Sequence, residues 1–172
     1  MSDEQYTNLL EEALEAWEDA RRGVLDEAEV IPDERYDYRP HPESRSVREL
    51  LVHIVESGEM MAGELSREDG DFTRQSPEEH IQEHAGDLPE DPDPVELRDL
   101  LMVRFAEGAA TLRGRGELHM LQFIRRFDGK PGTRLAWLHH GIAHEMYHRG
   151  QLALYARTMD LTPALTRRIH GE

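Results

Sequence analysis

Between Thr133 and Asp160 the chain contains no proline and places histidines at 140, 144 and 148. A segment this long without a helix breaker reads as a helix. Residues four apart on a helix stand one above the other on a single face, with about 5–6 Å between their Cβ atoms. That is the reach two imidazoles need to grip one metal ion. All three cannot do so together: at 1.5 Å rise per residue His140 and His148 are about 12 Å apart along the axis, against a metal–nitrogen bond of about 2.0–2.1 Å. A single ion must take one adjacent pair and a further ligand from another helix, and the rest of the chain has to fold so as to deliver it.

The other segments read as further helices. Leu10, Leu14, Trp17, Ala20, Val24 and Ala28 form the apolar stripe of an amphipathic helix expected from about Asp3 to Glu29, ended by Pro32. Tyr36 to Pro42, with two prolines and no helical period, predicts an extended segment lying against the bundle. Ser46 with Glu49 three residues on is a capping box, and Val47, Leu50, Leu51, Ile54, Gly58, Met61 and Leu65 continue the helix it opens. A third long helix starts at Asp93-Pro94 and carries Leu97, Leu101, Phe105 and Leu112 as far as Gly114 or Gly116. Between these, Ser76-Pro77 predicts a short helix from Pro77 to Glu83 inside a polar insertion over 66–92, a lid or wall over a site. Residues 117–127 read equally as a short helix or an extended crossing segment. Asp128 to Gly132 is a turn, Thr133 a cap, and Thr162-Pro163 the start of a last short helix. No segment reads as a convincing strand. The expectation is a single domain over 1–172, an all-α four-helix bundle with long connecting loops and short extra helices.

His53 lies on the second of these helices beside the apolar stripe. It is the one histidine on a long predicted helix other than the last, which makes it the candidate third ligand. The chain has no cysteine, so disulfides, thiolate ligands and a cysteine nucleophile are excluded. Imidazole ligands suit a divalent transition metal, zinc or nickel foremost, and leave coordination positions open for a water, thiol or carbonyl. The formal charge of −16, from 36 acidic and 20 basic residues spread along the chain, opposes binding to nucleic acid. No apolar run of membrane length and no signal segment is visible, so a cytoplasmic protein is expected.

His144-Glu145-Met-Tyr-His148 also satisfies the H-E-x-x-H pattern of zinc peptidases, in which Glu145 would activate a water. That arrangement needs a third ligand downstream, where Asp160, His170 and Glu172 are the candidates, and it is a remote reading. Outside it, Glu145 reads as an acid/base beside the metal or as an exposed partner of Arg149. Arg149 and Gln151 read as residues that orient ligands without touching the ion. Gly150 reads as a point of close helix approach, Tyr147 and Trp137 as packing aromatics, and His139 and His140 as polar residues of the helix face.

Ala143-His-Glu-Met-Tyr-His148-Arg-Gly-Gln151-Leu, taken with Leu51-Val-His53-Ile, resembles the DinB-like (damage-inducible, YfiT-like) superfamily of metal-binding four-helix bundles. The resemblance covers most of the chain. It implies a metal held by His53, His144 and His148, commonly zinc or nickel, and a homodimer packed helix to helix. It also implies an enzyme on a small molecule, either similar to thiol S-transferases that use a low-molecular-weight thiol such as mycothiol or bacillithiol, or similar to a hydrolase. The alternative is a non-catalytic metal-binding or stress-response bundle.

Overall fold

The computed structural model describes residues 8–171. Four long helices make the bundle: α1 (Leu9–Val30), α2 (Val47–Ser66), α4 (Pro94–Arg115) and α6 (Arg134–Thr158). Three short ones, α3 (Pro77–Ala85), α5 (Glu117–Met120) and α7 (Ala164–His170), sit in the connections and at the end. Each long helix starts where its sequence supplies an acceptor for the free N–H groups of the first turn. Asn8 accepts from Glu11, Ser46 and Glu49 form the reciprocal capping box, Asp93 accepts from Val95 and Glu96, and Thr133 accepts from Ala136. The part of the first helix expected before Asn8 lies outside the described residues.

The helices are not arranged in chain order. α1 packs on α4 and α6, and α2 packs on the same two, so α1 and α2 face each other across the diagonal. The connection over 31–46 makes this possible. Tyr36 is buried with its hydroxyl donating to Ala28 O, and Val47 and Arg48 donate their N–H groups back to Tyr38 and Tyr36. The crossing segment is thereby tied down at both ends.

Two strands were not anticipated. β1 (Phe123–Arg125) pairs antiparallel with β2 (Pro131–Thr133), Ile124 opposite Gly132. The stretch from 117 is thus first helical and then extended, and the turn expected at Asp128–Gly132 closes the hairpin. Three-residue strands are too short for alternation to show as a period. Their outer edge is covered by Gly70–Phe72, since Phe72 donates to Arg125 O and Arg125 to Gly70 O. No helix among the described residues is long and apolar enough to cross a membrane.

The apolar core falls into two clusters along the bundle. One contains Trp17, Met61, Phe105 and Leu138; the other contains Val24, Ile54, Leu101, Leu152 and Tyr155. Between them lies a buried polar waist. Arg21, 1% exposed, donates from Nε and Nη2 to the two oxygens of Glu145 at 2.9 and 2.6 Å, and from Nη1 to Leu101 O at 2.8 Å. Its Nη2 also reaches Ile54 O at 3.5 Å. One guanidinium on α1 therefore joins all three other long helices. Gly58 makes room for it, because a Cβ there would stand 2.6 Å from Arg21 Nη2.

Removing one member of a buried pair strands the other charge at a cost of about 3–5 kcal/mol, whereas neutralising both is often close to neutral. Arg21→Met is expected to destabilise by about that amount in urea unfolding. The double variant Arg21→Met with Glu145→Gln should recover most of the loss; equal destabilisation of single and double variants would contradict this account.

Candidate metal centre

His53 projects from α2 between the buried Leu50 and Ile54, and His144 and His148 from α6, on the side where these helices touch. The three rings meet edge to face, with centroids 4.3–5.1 Å apart. Their Nε2 atoms converge: His53 to His144 is 3.3 Å and His144 to His148 is 2.9 Å. Nitrogens bound to one ion at about 2.0–2.1 Å stand about 2.9 Å apart at right angles and about 3.4 Å apart at the tetrahedral angle. The observed spacings match that range, and the three residues fit a divalent transition metal.

The protonation pattern fits as well. Gln151 Oε1 lies 2.6 Å from His148 Nδ1 and accepts its N–H, so the neutral ring presents a bare Nε2 to its neighbours. Burial, reinforced by the positive Arg45 and by His144 and His148, pushes His53 down from 6.5 to about 4. Burial likewise lowers His144, with His148 adding to the effect and Glu145 opposing it. His148 is lowered by burial against the opposing hydrogen bond from Gln151. All three rings are held neutral at pH 7, as ligands must be. Arg45, exposed on the segment ahead of α2, is the nearby cation that a search for ligand spacing does not pick out.

Other site expectations are redistributed. Glu145 is buried, not exposed, and pairs with Arg21, not Arg149. Its Oε1 also accepts from Trp17 Nε1 at 2.7 Å. With both oxygens engaged by a guanidinium, the carboxylate positions the helix that carries His144. Arg149 turns to the α1 side, its guanidinium packed over Gly23 and away from the histidines. A Cβ at Gly150 would meet nothing within 4 Å, so that glycine marks no helix contact. Tyr147 is 65% exposed and packs into no core. Glu49 and Ser57 flank His53 on α2, but Glu49 is taken by Arg39 and the capping box.

Beside the centre lies a cavity of about 260 Å³, lined by Met60, Met61, Phe127, Trp137, His140 and His144 among others. Trp137 and His140, read from sequence as a packing aromatic and a face residue, both line this space, their rings 4.9 Å apart. His144 belongs to both the histidine cluster and the cavity.

The sequence model of the DinB family matches residues 1–169. The chain belongs to the DinB family. A DinB-like protein from Bacillus subtilis, YjoA, has a crystal structure similar to this family member at 24% identity and a TM-score of 0.66, over 87% of this chain and 92% of that one. YfiT from Bacillus subtilis, described as a probable metal-dependent hydrolase with an unusual four-helix bundle topology, is similar at 19% identity and a TM-score of 0.64, over 93% and 90%. The mycothiol-dependent maleylpyruvate isomerase is similar at 16% identity and a TM-score of 0.63; 83% of this DinB-family chain aligns, spanning 60% of the isomerase. At these identities the likeness is one of fold. No curated protein matches the chain.

Two outcomes follow for the centre. His53→Ala should remove one equivalent of zinc or nickel uptake per chain relative to the unsubstituted protein, and Gln151→Leu should weaken the uptake of that equivalent by about 10–100-fold, as read by isothermal titration; unchanged stoichiometry and affinity in both variants would show that the ion sits elsewhere. In metal-free protein the folded histidines bind protons less readily than in the unfolded chain. Stability should therefore be full above pH 6.5, the ordinary histidine value, and fall progressively toward pH 4, where folded His53 takes up its proton. The decline should be shallower in the variant with all three histidines replaced by glutamine, compared by urea midpoints at pH 7 and pH 5.

Proposed function

We propose that this protein is a metal-dependent enzyme acting on a small, largely apolar molecule held in the cavity beside His144. The observation that carries the reading is the convergence of three imidazole Nε2 atoms, with neutral rings, in a cluster whose His144 also lines that cavity. A divalent ion held by His53, His144 and His148 supplies Lewis-acid activation of a water, a thiol or a carbonyl. The chain's own residues do the rest. Met60, Met61, Phe127 and Trp137 exclude water and orient the apolar part of the substrate. A volume of about 260 Å³ is near the lower end for small-molecule pockets, so the reacting molecule, or the part that enters, is compact.

Proton handling falls to His140. It lines the cavity one turn from His144 and has no hydrogen-bond partner among the described residues, whereas Glu145 is locked to Arg21. The peptidase reading loses both its requirements: the third imidazole comes from upstream, on α2, and the glutamate is engaged elsewhere. Hydrolysis by activated water and attack by a low-molecular-weight thiol are both served by this geometry. The description of YfiT as a probable metal-dependent hydrolase and the mycothiol dependence of the isomerase support these two options in turn.

The test is to load the protein with zinc or nickel and screen compact esters, amides, and electrophiles paired with small thiols. Turnover should vanish in His144→Ala. In His140→Ala it should drop by about 10²-fold or more while the metal content stays the same, as general acid–base contributions do. Metal-loaded protein no faster than metal-free protein across the panel would overturn the proposal.

A further inference from the structure

A second histidine pair spaced four apart, His80 and His84, lies on α3, in the insertion read from sequence as a lid or wall. Both rings turn to one carboxylate on α2. His80 Nδ1 is 2.8 Å and His84 Nε2 2.7 Å from Glu64 Oε1. Glu64 is 1% exposed, and its other oxygen, Oε2, is buried without any hydrogen-bond partner. Gly63 is what lets His84 come so near: a Cβ there would stand 2.2 Å from the ring. Glu64, His80 and Glu83, the last also on α3, bring their ligand atoms within 4.8 Å of one another, and His84 joins them through its contact with Glu64 Oε1.

The state of His80 is the telling detail. Its Nε2 lies 3.1 Å from Phe72 O, an acceptor, so an N–H belongs there. A neutral imidazole has one N–H. Its Nδ1 lone pair then faces a carboxylate oxygen at 2.8 Å, a contact that requires a cation, either a proton or a metal ion, between the two. A ring tied through one nitrogen to a backbone carbonyl, with the other aimed at a carboxylate, is the usual outer arrangement of a metal-ligating histidine. The two spacings to Glu64 Oε1, 2.8 and 2.7 Å, lie just inside the roughly 2.9 Å expected between ligands of one ion.

We propose that Glu64, His80 and His84, with Glu83, form a second divalent transition-metal site that fastens α3 to α2. Without the ion, Arg74 neutralises the cluster, its Nη2 on Glu64 Oε1 and on Glu83 Oε2 at 2.8 Å. Arg74 is thus the competing cation and must withdraw as the metal enters; Arg67, which also pairs with Glu83 at 3.2 Å, stays on the outside. The site is coupled to the cavity by packing. The His80 ring stands edge to face with Phe127 at 5.3 Å, and Phe127 lines the cavity next to Trp137. An ion on α3 therefore fixes one wall of the space beside the first centre. The inference stands on residues separate from the His53 cluster and survives or fails independently of it.

The probe is Zn²⁺ alone, titrated calorimetrically into chelator-treated protein and followed with Co²⁺ absorption. Folded protein carrying His53→Gln, His144→Gln and His148→Gln should still bind about one ion per chain. Adding His84→Ala, a position less deeply buried than His80 and chosen because replacing His80 risks the fold, should remove that uptake. Arg74→Gln in the same background should tighten it by removing the competing charge. If the triple variant is folded by circular dichroism yet binds no Zn²⁺, or if His84→Ala leaves its uptake intact, the second site does not exist.

Discussion

Everything in this molecule turns on a guanidinium buried where four helices cross. Desolvating a charge is costly unless it is paired and its remaining donors are satisfied. Arg21 meets that condition only with α1, α2, α4 and α6 all in place, because its partners are Glu145 and the carbonyls of Leu101 and Ile54. The pair thus specifies one packing among the many that apolar stripes alone would tolerate. Glu145 follows His144 in sequence and Ile54 follows His53, so the same contact that sets the packing sets the register of the imidazoles. Structure and chemistry share a single anchor.

The fold was largely legible in the sequence because its signals are local. Capping residues at Ser46, Asp93 and Thr133, apolar stripes and prolines mark helix ends to within a few residues. What is non-local was hidden. That α2 and α6 are neighbours while α1 and α2 are diagonal follows from how loops cross, which no periodicity records. The hairpin from Phe123 to Thr133 leaves no periodic signal, because its strands are three residues long. Glu145 shows the same limit: spacing puts it within reach of Arg149 on its own helix, but a partner 124 residues away outcompetes that exposed pairing. Arg21 did leave a trace, one charged residue inside the stripe of Trp17, Val24 and Ala28, and a charge in such a place asks for a buried counter-charge.

The candidate site divides the same way. Residues on one helix, His144, His148 and Gln151, have relations that the 3.6-residue repeat fixes in advance. His53 could be nominated as the third member because few histidines occupy long helices, and the structure brings its ring to theirs. Trp137 and His140 looked unremarkable in sequence, since nothing there shows that the helix face they share borders empty space. The α3 cluster leaves no such signal, because its histidines fall in a polar insertion where histidine is common and its surroundings are unreadable from spacing.

The two histidine clusters differ in how far apart their members lie along the chain. Glu64 and His84 are 20 residues apart; His53 and His144 are 91. During synthesis from the N-terminus, domains take shape as chain becomes available. The α2–α3 cluster can close before α6 has been made. The triad cannot, since α6 supplies two of its three rings. A nascent chain therefore exposes one lone imidazole at the future centre for most of its elongation, and a cellular ion gains a chelating grip there only after the bundle's last wall has arrived. By topology, a chelating grip at that centre has to wait for α6.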